Sequence, residues 1–176
     1  MNKKILVTGG CGYIGSHTVI ELMQLGFNVI IADDFSNSNN LVLDRIAKIV
    51  AKKPIFELVD LKDFTKTNSL FKKHSDIDAV VHFAAHKAVG ESVQNPLKYY
   101  QNNLYALINI LIGMKNNKIK NFIFSSSATV YGQPNSLPIN EDEPTKRPSS
   151  PYGNSKKIAE EILEDEAKAN PYFSAI

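Results

Sequence analysis

Cysteine is nearly absent. Cys11 is the only one among 176 residues, so no internal disulfide can form, and the composition fits a reducing, cytoplasmic compartment. Histidine is scarce too. His17, His74, His82 and His86 lack the clustered spacing of a metal site, so no metal is expected and all four read as ordinary surface or loop residues. No apolar run approaches the roughly 18 residues that a membrane helix needs, which argues against a membrane partner. The lysines are scattered, with no basic stripe interleaved with aromatics, which argues against nucleic acid. The apolar stretch after the mildly basic residues 1–4 breaks at Gly9 and Gly10, so it reads as a strand and not a signal peptide. Internal repeats and low-complexity segments are missing as well. What is present is ordinary: 20 basic against 18 acidic residues, 43% hydrophobic and 22% charged, the proportions of one soluble domain with a sizeable core.

Short runs rich in Ile and Val alternate with longer helical patterns. Strands are expected at 5–8, 28–32, 54–59, 79–83, 121–125 and, just starting, 172–176. Helices are expected at 14–25, 41–52, 63–73, 96–115 and 151–169, with Gly26 stopping the first, Asp63 near the start of the third, and Pro96 and Pro151 in first turns. A Pro-rich polar loop fills 132–150. Runs such as Ile5-Leu6-Val7 and Val29-Ile30-Ile31 are apolar without alternation, as in strands buried on both faces. The fold class that follows is α/β, a doubly wound parallel sheet with right-handed crossovers.

Between the first strand and first helix lies Gly9-Gly10-Cys11-Gly12-Tyr13-Ile14-Gly15. Its spacing satisfies GxGxxG through Gly10, Gly12 and Gly15, and GxxGxxG through Gly9, Gly12 and Gly15. Glycine serves where the backbone turns tightly or approaches a pyrophosphate, and the helix behind it aims N–H groups at that anion. The plain alternative is a tight structural turn, in which Cys11 is a small loop residue with no redox role. Asp33 and Asp34 end the second strand where a ribose-binding acid belongs; a carboxylate there repels a 2′-phosphate and so favours NAD over NADP. Asp60 ends the third strand in a similar position, or is an unremarkable loop acid.

Tyr152 and Lys156 are four apart at the start of a helix, on one face. An ammonium beside a phenol favours the phenolate, which makes the tyrosine a general base near neutral pH. Alone, such a pair is more often a solvated helix pair. It gains weight beside the glycine loop and the cluster Ser125-Ser126-Ser127 at the end of the fifth strand, where doubly wound folds place ligand contacts. Ser127 is placed to hydrogen-bond a reacting hydroxyl, whereas Ser125 and Ser126 also read as a plain polar strand end.

The stretches VTGGCGYIGSH at 7–17, HFAAHKAVGESV at 82–93, NFIFSSSATVYG at 121–132 and SPYGNSK at 150–156 resemble the extended short-chain dehydrogenase/reductase family, and within it the UDP-glucose 4-epimerases, over essentially the whole chain. That resemblance implies a Rossmann-like NAD-binding fold. It implies that Gly9, Gly12, Tyr13, Ile14 and Gly15 line the pyrophosphate, and that Asp33 holds the adenosine ribose with Asn37 and Ser38 near the same end. Asp60 and Leu61 flank the adenine; Phe83, Ala84 and Lys87 contact the cofactor; Asn102 lies toward the nicotinamide. Ser127, Tyr152 and Lys156 form the catalytic group, with Lys156 also on the nicotinamide ribose. Asp34 departs from the asparagine usual in the family. The implied reaction interconverts UDP-galactose and UDP-glucose through a transient 4-keto sugar, with Tyr152 taking the proton of the 4-hydroxyl and NAD carrying the hydride.

A sugar-nucleotide 4,6-dehydratase would resemble this chain but carry an Asp-Glu pair just after the catalytic Ser/Thr; Ala128 and Thr129 stand there. A different sugar-nucleotide epimerase and a non-catalytic NAD-binding module stay open. The family continues beyond the position of Ile176, so the chain is expected to be the NAD-binding domain (1–176), ending within the sixth strand, without the lobe that grips UDP, and inactive by itself. By the same resemblance the helices from Pro96 and Pro151 pack into a homodimer interface. The stripe Leu104, Leu107, Ile108 and Leu111 would supply it, or would simply face the chain's own sheet.

Overall fold

A computed structural model describes residues 3–176. Six parallel strands form one sheet in the order β3-β2-β1-β4-β5-β6. They are β1 (Lys4–Thr8), β2 (Asn28–Asp33), β3 (Ile55–Leu58), β4 (Ala79–His82), β5 (Asn121–Phe124) and β6 (Ser174–Ala175). The helices are α1 (Tyr13–Gln24), α2 (Leu41–Val50), α3 (Phe64–Lys73), α4 (Val89–Gln94), α5 (Pro96–Asn116) and α6 (Pro151–Ala169). A 3₁₀ turn spans Ala128–Tyr131. This is the expected Rossmann-like sheet.

Successive strand residues face opposite sides, and the two sides make two cores. Leu6, Ile30, Val80 and Phe122 face α3, α5 and α6, packing with Phe71, Leu107, Ile110, Met114 and Leu163. Ile5, Val7, Val29, Ile31 and Val81 face α1 and α2, packing with Val19, Leu43 and Ile46. Inner strands are therefore buried on both faces, as their unbroken apolar runs require. The flanking strands depart from that rule. Leu58 of β3 is 68% exposed, and Ile123 of β5, beside Val81 in the ladder, is 47% exposed, because the α1–α2 layer does not reach it.

Helix ends follow local chemistry. Asp63 caps α3 by accepting from Lys66 N, and Ser150 caps α6 by accepting from Gly153 N ahead of Pro151. Gly26, at φ +87°, turns the chain after α1. The helix expected over 41–52 stops at Val50 because Ala51 adopts a left-handed conformation. The six-residue α4 and the 3₁₀ turn were not expected; neither is long enough to show a periodicity. Two of the histidines expected on the surface are buried: His82 lies inside β4 at 2% exposure, and His74 closes α3 with its Nε2 2.7 Å from Glu57 Oε1.

Candidate functional site

The C-terminal ends of β1 to β4 open onto one cleft at the point where the strand order reverses. The glycine loop is its floor. Gly9 has φ +67°, and its N–H donates to Ala32 O of β2 (2.9 Å). A Cβ there would lie 2.7 Å from Ala84 N, and one on Gly15 would lie 2.2 Å from Gly9 O. Both positions therefore demand glycine, the first for the turn and the second for close helix packing. Gly12 differs: a Cβ on it would meet only Gly9 O, at 3.2 Å, and the residue lines the cleft. It is also the N-cap of α1 and brings no side-chain cap, so the first-turn N–H groups are left for a ligand. The side chains of Tyr13 and Ile14 are 78% and 54% exposed, and neither residue lines the cleft. Cys11 is buried, and burial, then the charge of Asp33, pushes its thiol up to about 12; it is an inert packing residue.

Asp33 ties the cleft together. Its carboxylate accepts from Cys11 N (3.0 Å), Phe35 N (2.9 Å) and Ser38 Oγ (3.1 Å). Asn37 and Ser38 line the same end, joined by Asp34 and Ser36, whose N–H donates to Asp34 Oδ1. Asp60 and Leu61 form the opposite wall, with Phe83, Ala84 and Asn102 along the third side. Lys87 is exposed beyond that wall and does not line the cleft. Lys62 and His86 line it without having been singled out by any motif. Lys62 Nζ is 3.3 Å from Asp60 Oδ2 and donates to Asn102 Oδ1 at 3.3 Å, spanning the mouth. Burial first, then Lys98 and Lys62, hold the His86 imidazole below its usual range. Asn103 was missed as well. Its amide binds both backbone groups of His86, accepting from N (2.9 Å) and donating to O (3.1 Å), and donates to Ser155 Oγ (2.9 Å). Ser155 Oγ in turn donates to Tyr152 O (2.7 Å).

Ser127, Tyr152 and Lys156 lie outside that lining: Ser127 follows β5, and Tyr152 and Lys156 are in the first turns of α6. Lys156 is only 5% exposed. Its ammonium donates to Ser125 O (2.6 Å) and lies 4.6 Å from the centre of the Phe124 ring. Burial brings its pKa down to about 8, against the opposing pull of Glu160. Tyr152 is one turn earlier on the same helix face. Ser127 Oγ accepts from Thr129 Oγ1 (2.9 Å) and Thr129 N (3.3 Å), which fixes the hydroxyl oxygen. A Cβ on Gly153 would lie 3.0 Å from Thr129 Oγ1, so the turn that carries Tyr152 abuts the turn that holds Ser127. Ser125 thus contributes its carbonyl rather than its hydroxyl. Ser126 is no plain strand end, since its Oγ donates to Glu160 Oε1 at 2.5 Å. Beneath Lys156, His82 Nδ1 is 2.7 Å from Thr8 Oγ1, and burial, then Lys156, drives the imidazole down to about 3.

The α5 stripe divides. Leu107 is buried, and Leu104 and Leu111 pack on the core, whereas Ile108 and Ile112 are 39% and 38% exposed along a groove shared with Ile162 of α6. Among the described residues no helix is long and apolar enough to cross a membrane, and no group of three or more His, Cys, Asp or Glu is arranged to hold a metal ion.

A family model described as GDP-mannose 4,6 dehydratase matches residues 6–175. The chain is similar to the UDP-glucose 4-epimerase of Yersinia pestis, 47% identical over 170 residues, which is 97% of this chain and 50% of that protein. It is similar to the UDP-glucose 4-epimerase of Drosophila melanogaster, 45% identical, over 98% of this chain and 51% of that one. Among solved structures it is similar to UDP-glucose 4-epimerase from Bifidobacterium longum in complex with NAD+ and UDP, with TM-score 0.96 and 44% identity over 98% of this chain and 51% of that one. The UDP-Glc/GlcNAc 4-epimerase from Campylobacter jejuni gives TM-score 0.93 and 38% identity over 99% and 52%. The chain spans about half the length of the curated relatives it matches.

Proposed function

This chain belongs to the extended short-chain dehydrogenase/reductase family, beside the UDP-glucose 4-epimerases, and from that premise we propose that it binds NAD and bears the acid–base group of such an epimerase. The observation that carries the reading is the arrangement at the end of β5: a buried Lys156, Tyr152 one turn away on the same face, and Ser127 with its oxygen fixed by Thr129.

The residues fit a dinucleotide. Gly12 leaves room over the cleft floor, the start of α1 offers N–H groups to a pyrophosphate, and Gly9, Tyr13, Ile14 and Gly15 shape that turn. Asp33, with Asn37 and Ser38, suits the hydroxyls of an adenosine ribose and repels a 2′-phosphate, hence NAD and not NADP. Lining the cleft supports Asp60 and Leu61 for the adenine and Phe83, Ala84 and Asn102 for the remainder, whereas Lys87, read as a cofactor contact from the resemblance, lies outside that lining. Bound NAD supplies hydride acceptance and return at the sugar C4. Tyr152 takes the proton of the sugar 4-hydroxyl, Lys156 favours its phenolate and holds the nicotinamide ribose, and Ser127 hydrogen-bonds the same hydroxyl. The turn after Ser127 offers Ala128 and Thr129, neither a carboxylic acid, which speaks against the elimination step of a 4,6-dehydratase.

Residues 1–176 act in this reading as the NAD-binding domain, and the half of the relatives that this chain does not match supplies the grip on UDP. The partner is UDP-galactose or UDP-glucose. A homodimer forms through α5 and α6, supported by the exposed Ile108 and Ile112. One buried thiol supports a cytoplasmic setting. Calorimetric titration of this chain with NAD and NADP tests the cofactor reading: NAD binds more tightly, and equal or tighter NADP binding overturns it. In a protein of the relatives' length, Tyr152→Phe lowers turnover by about two to four orders of magnitude while NAD still binds; near-normal turnover means the base is another group.

A further inference from the structure

Glu160 is one helical turn beyond Lys156 on α6, at the spacing that puts both side chains on one face. No motif singles it out. Its carboxylate accepts the Ser126 hydroxyl at 2.5 Å, and Ser126 follows the residue whose carbonyl accepts Lys156 Nζ. The first half of α6 is thereby fastened to the end of β5 at two consecutive turns, once through a cation and once through an anion. Ser126 and Glu160 also border the same shallow depression as Ser127, beside the 3₁₀ turn.

We propose that Glu160 is a positioning residue for the acid–base group: held by Ser126, it supplies the countercharge that the buried Lys156 ammonium needs and sets how the start of α6 meets β5. The proposal rests on the reading of Lys156 given above. Burial penalises an ammonium unless a partner compensates. Around Lys156, β4 presents His82, β5 presents Ser125 O and the Phe124 ring, and α6 presents Tyr152 and Glu160. Asn103 of α5 reaches this helix through Ser155 and carries no charge. His82 is neutral at this depth, so Glu160 is the carboxylate of the set. The Ser126 hydroxyl that donates to this carboxylate fixes where it sits.

Two variants separate charge from anchoring. Glu160→Gln keeps an acceptor for Ser126 at nearly unchanged volume but removes the charge. Ser126→Ala keeps the charge but releases the carboxylate. Carbon-13 NMR of the lysine Cε resonances, run on this chain with Lys156→Arg to assign the signal, reads the Lys156 titration midpoint without any activity. Glu160→Gln lowers that midpoint by about one pH unit, the lower end of what a neighbouring opposite charge supplies, and Ser126→Ala lowers it by less. A midpoint unmoved in both variants overturns the proposal. In a protein of the relatives' length, with UDP-galactose and NAD, a one-unit fall in the midpoint leaves Glu160→Gln about fivefold slower at pH 8 and nearly normal at pH 6.5, where Lys156 stays charged. Equal losses at both pH values mark a merely structural role and also overturn it. A wild-type protein with no epimerase turnover removes the reading of the site, while the NMR result still decides the electrostatics.

Discussion

Acid should destabilise this chain in a pH window set by His82. The side chain is 2% exposed, its Nδ1 is paired with Thr8 Oγ1, and its imidazole is driven from 6.5 to about 3, mainly by burial and then by Lys156. The folded value lies below the unfolded one, so the stabilisation is complete above about pH 6.5 and drains away as pH falls toward 3, while the unfolded chain takes up a proton the folded chain refuses. Between pH 7.5 and 5 the loss is about 2 kcal/mol, and any folded value below about 4 gives the same figure, because only the unfolded imidazole titrates there. That is a large part of the 5–15 kcal/mol typical of a domain. Aspartates and glutamates titrate mostly below this window. His86 contributes with the same sign but is partly exposed, and it is common to both proteins compared. The assay is urea unfolding followed by circular dichroism at pH 7.5 and 5.0, for the wild type and for His82→Asn, which keeps a polar partner for Thr8. The wild type should lose about 2 kcal/mol more than the variant over that range. Parallel losses would show that His82 is protonated in place or reached by water, and the reasoning about this layer would fail.

Gly15→Ala drives a Cβ to 2.2 Å from Gly9 O, a backbone atom that cannot yield, so NAD affinity measured by calorimetry should fall more than about tenfold. Unchanged affinity would mean that the loop is not the cofactor floor. Gly113→Ala gains about 1 kcal/mol of helix propensity but places its Cβ 2.2 Å from the ring of Phe71, which is wholly buried; overpacking of about 1–3 kcal/mol leaves the variant less stable in urea. Ile108→Asp should shift a protein of the relatives' length from dimer to monomer in light scattering at micromolar concentration, with this face as the interface. A wild type that is monomeric there refutes that placement.

Much of the fold was written in the order of apolar runs, because strands covered on both faces cannot afford a polar residue at every second position. The same signal misleads at the borders. Leu58 and Ile123 have the chemistry of core residues but lie where no helix covers them, and burial depends on neighbours that one segment does not specify. The glycine loop, Asp33 and the Tyr152–Lys156 pair were legible because their chemistry dictates both residue type and local spacing. Lys62, Asn103, Ser126 and Glu160 were not. Each acts through a partner 34 to 52 positions away: 40 for Lys62 with Asn102, 52 for Asn103 with Ser155, and 34 for Ser126 with Glu160. Such meetings are set by how the sheet is wound and leave no periodic trace.

That winding also orders events in time. β1 borders β2, which arrives within the next two dozen residues, and β4, whose His82 is 74 positions from Thr8. During synthesis the β1–β2–β3 half can assemble first, leaving one flank of β1 bare until the second half emerges and docks. The cleft runs along that seam, with Gly9 packed against Ala84 across it. Neither half contains the pocket. A dinucleotide that occupies it therefore bridges the two halves, and occupancy should slow their separation more than it slows the fraying of either edge.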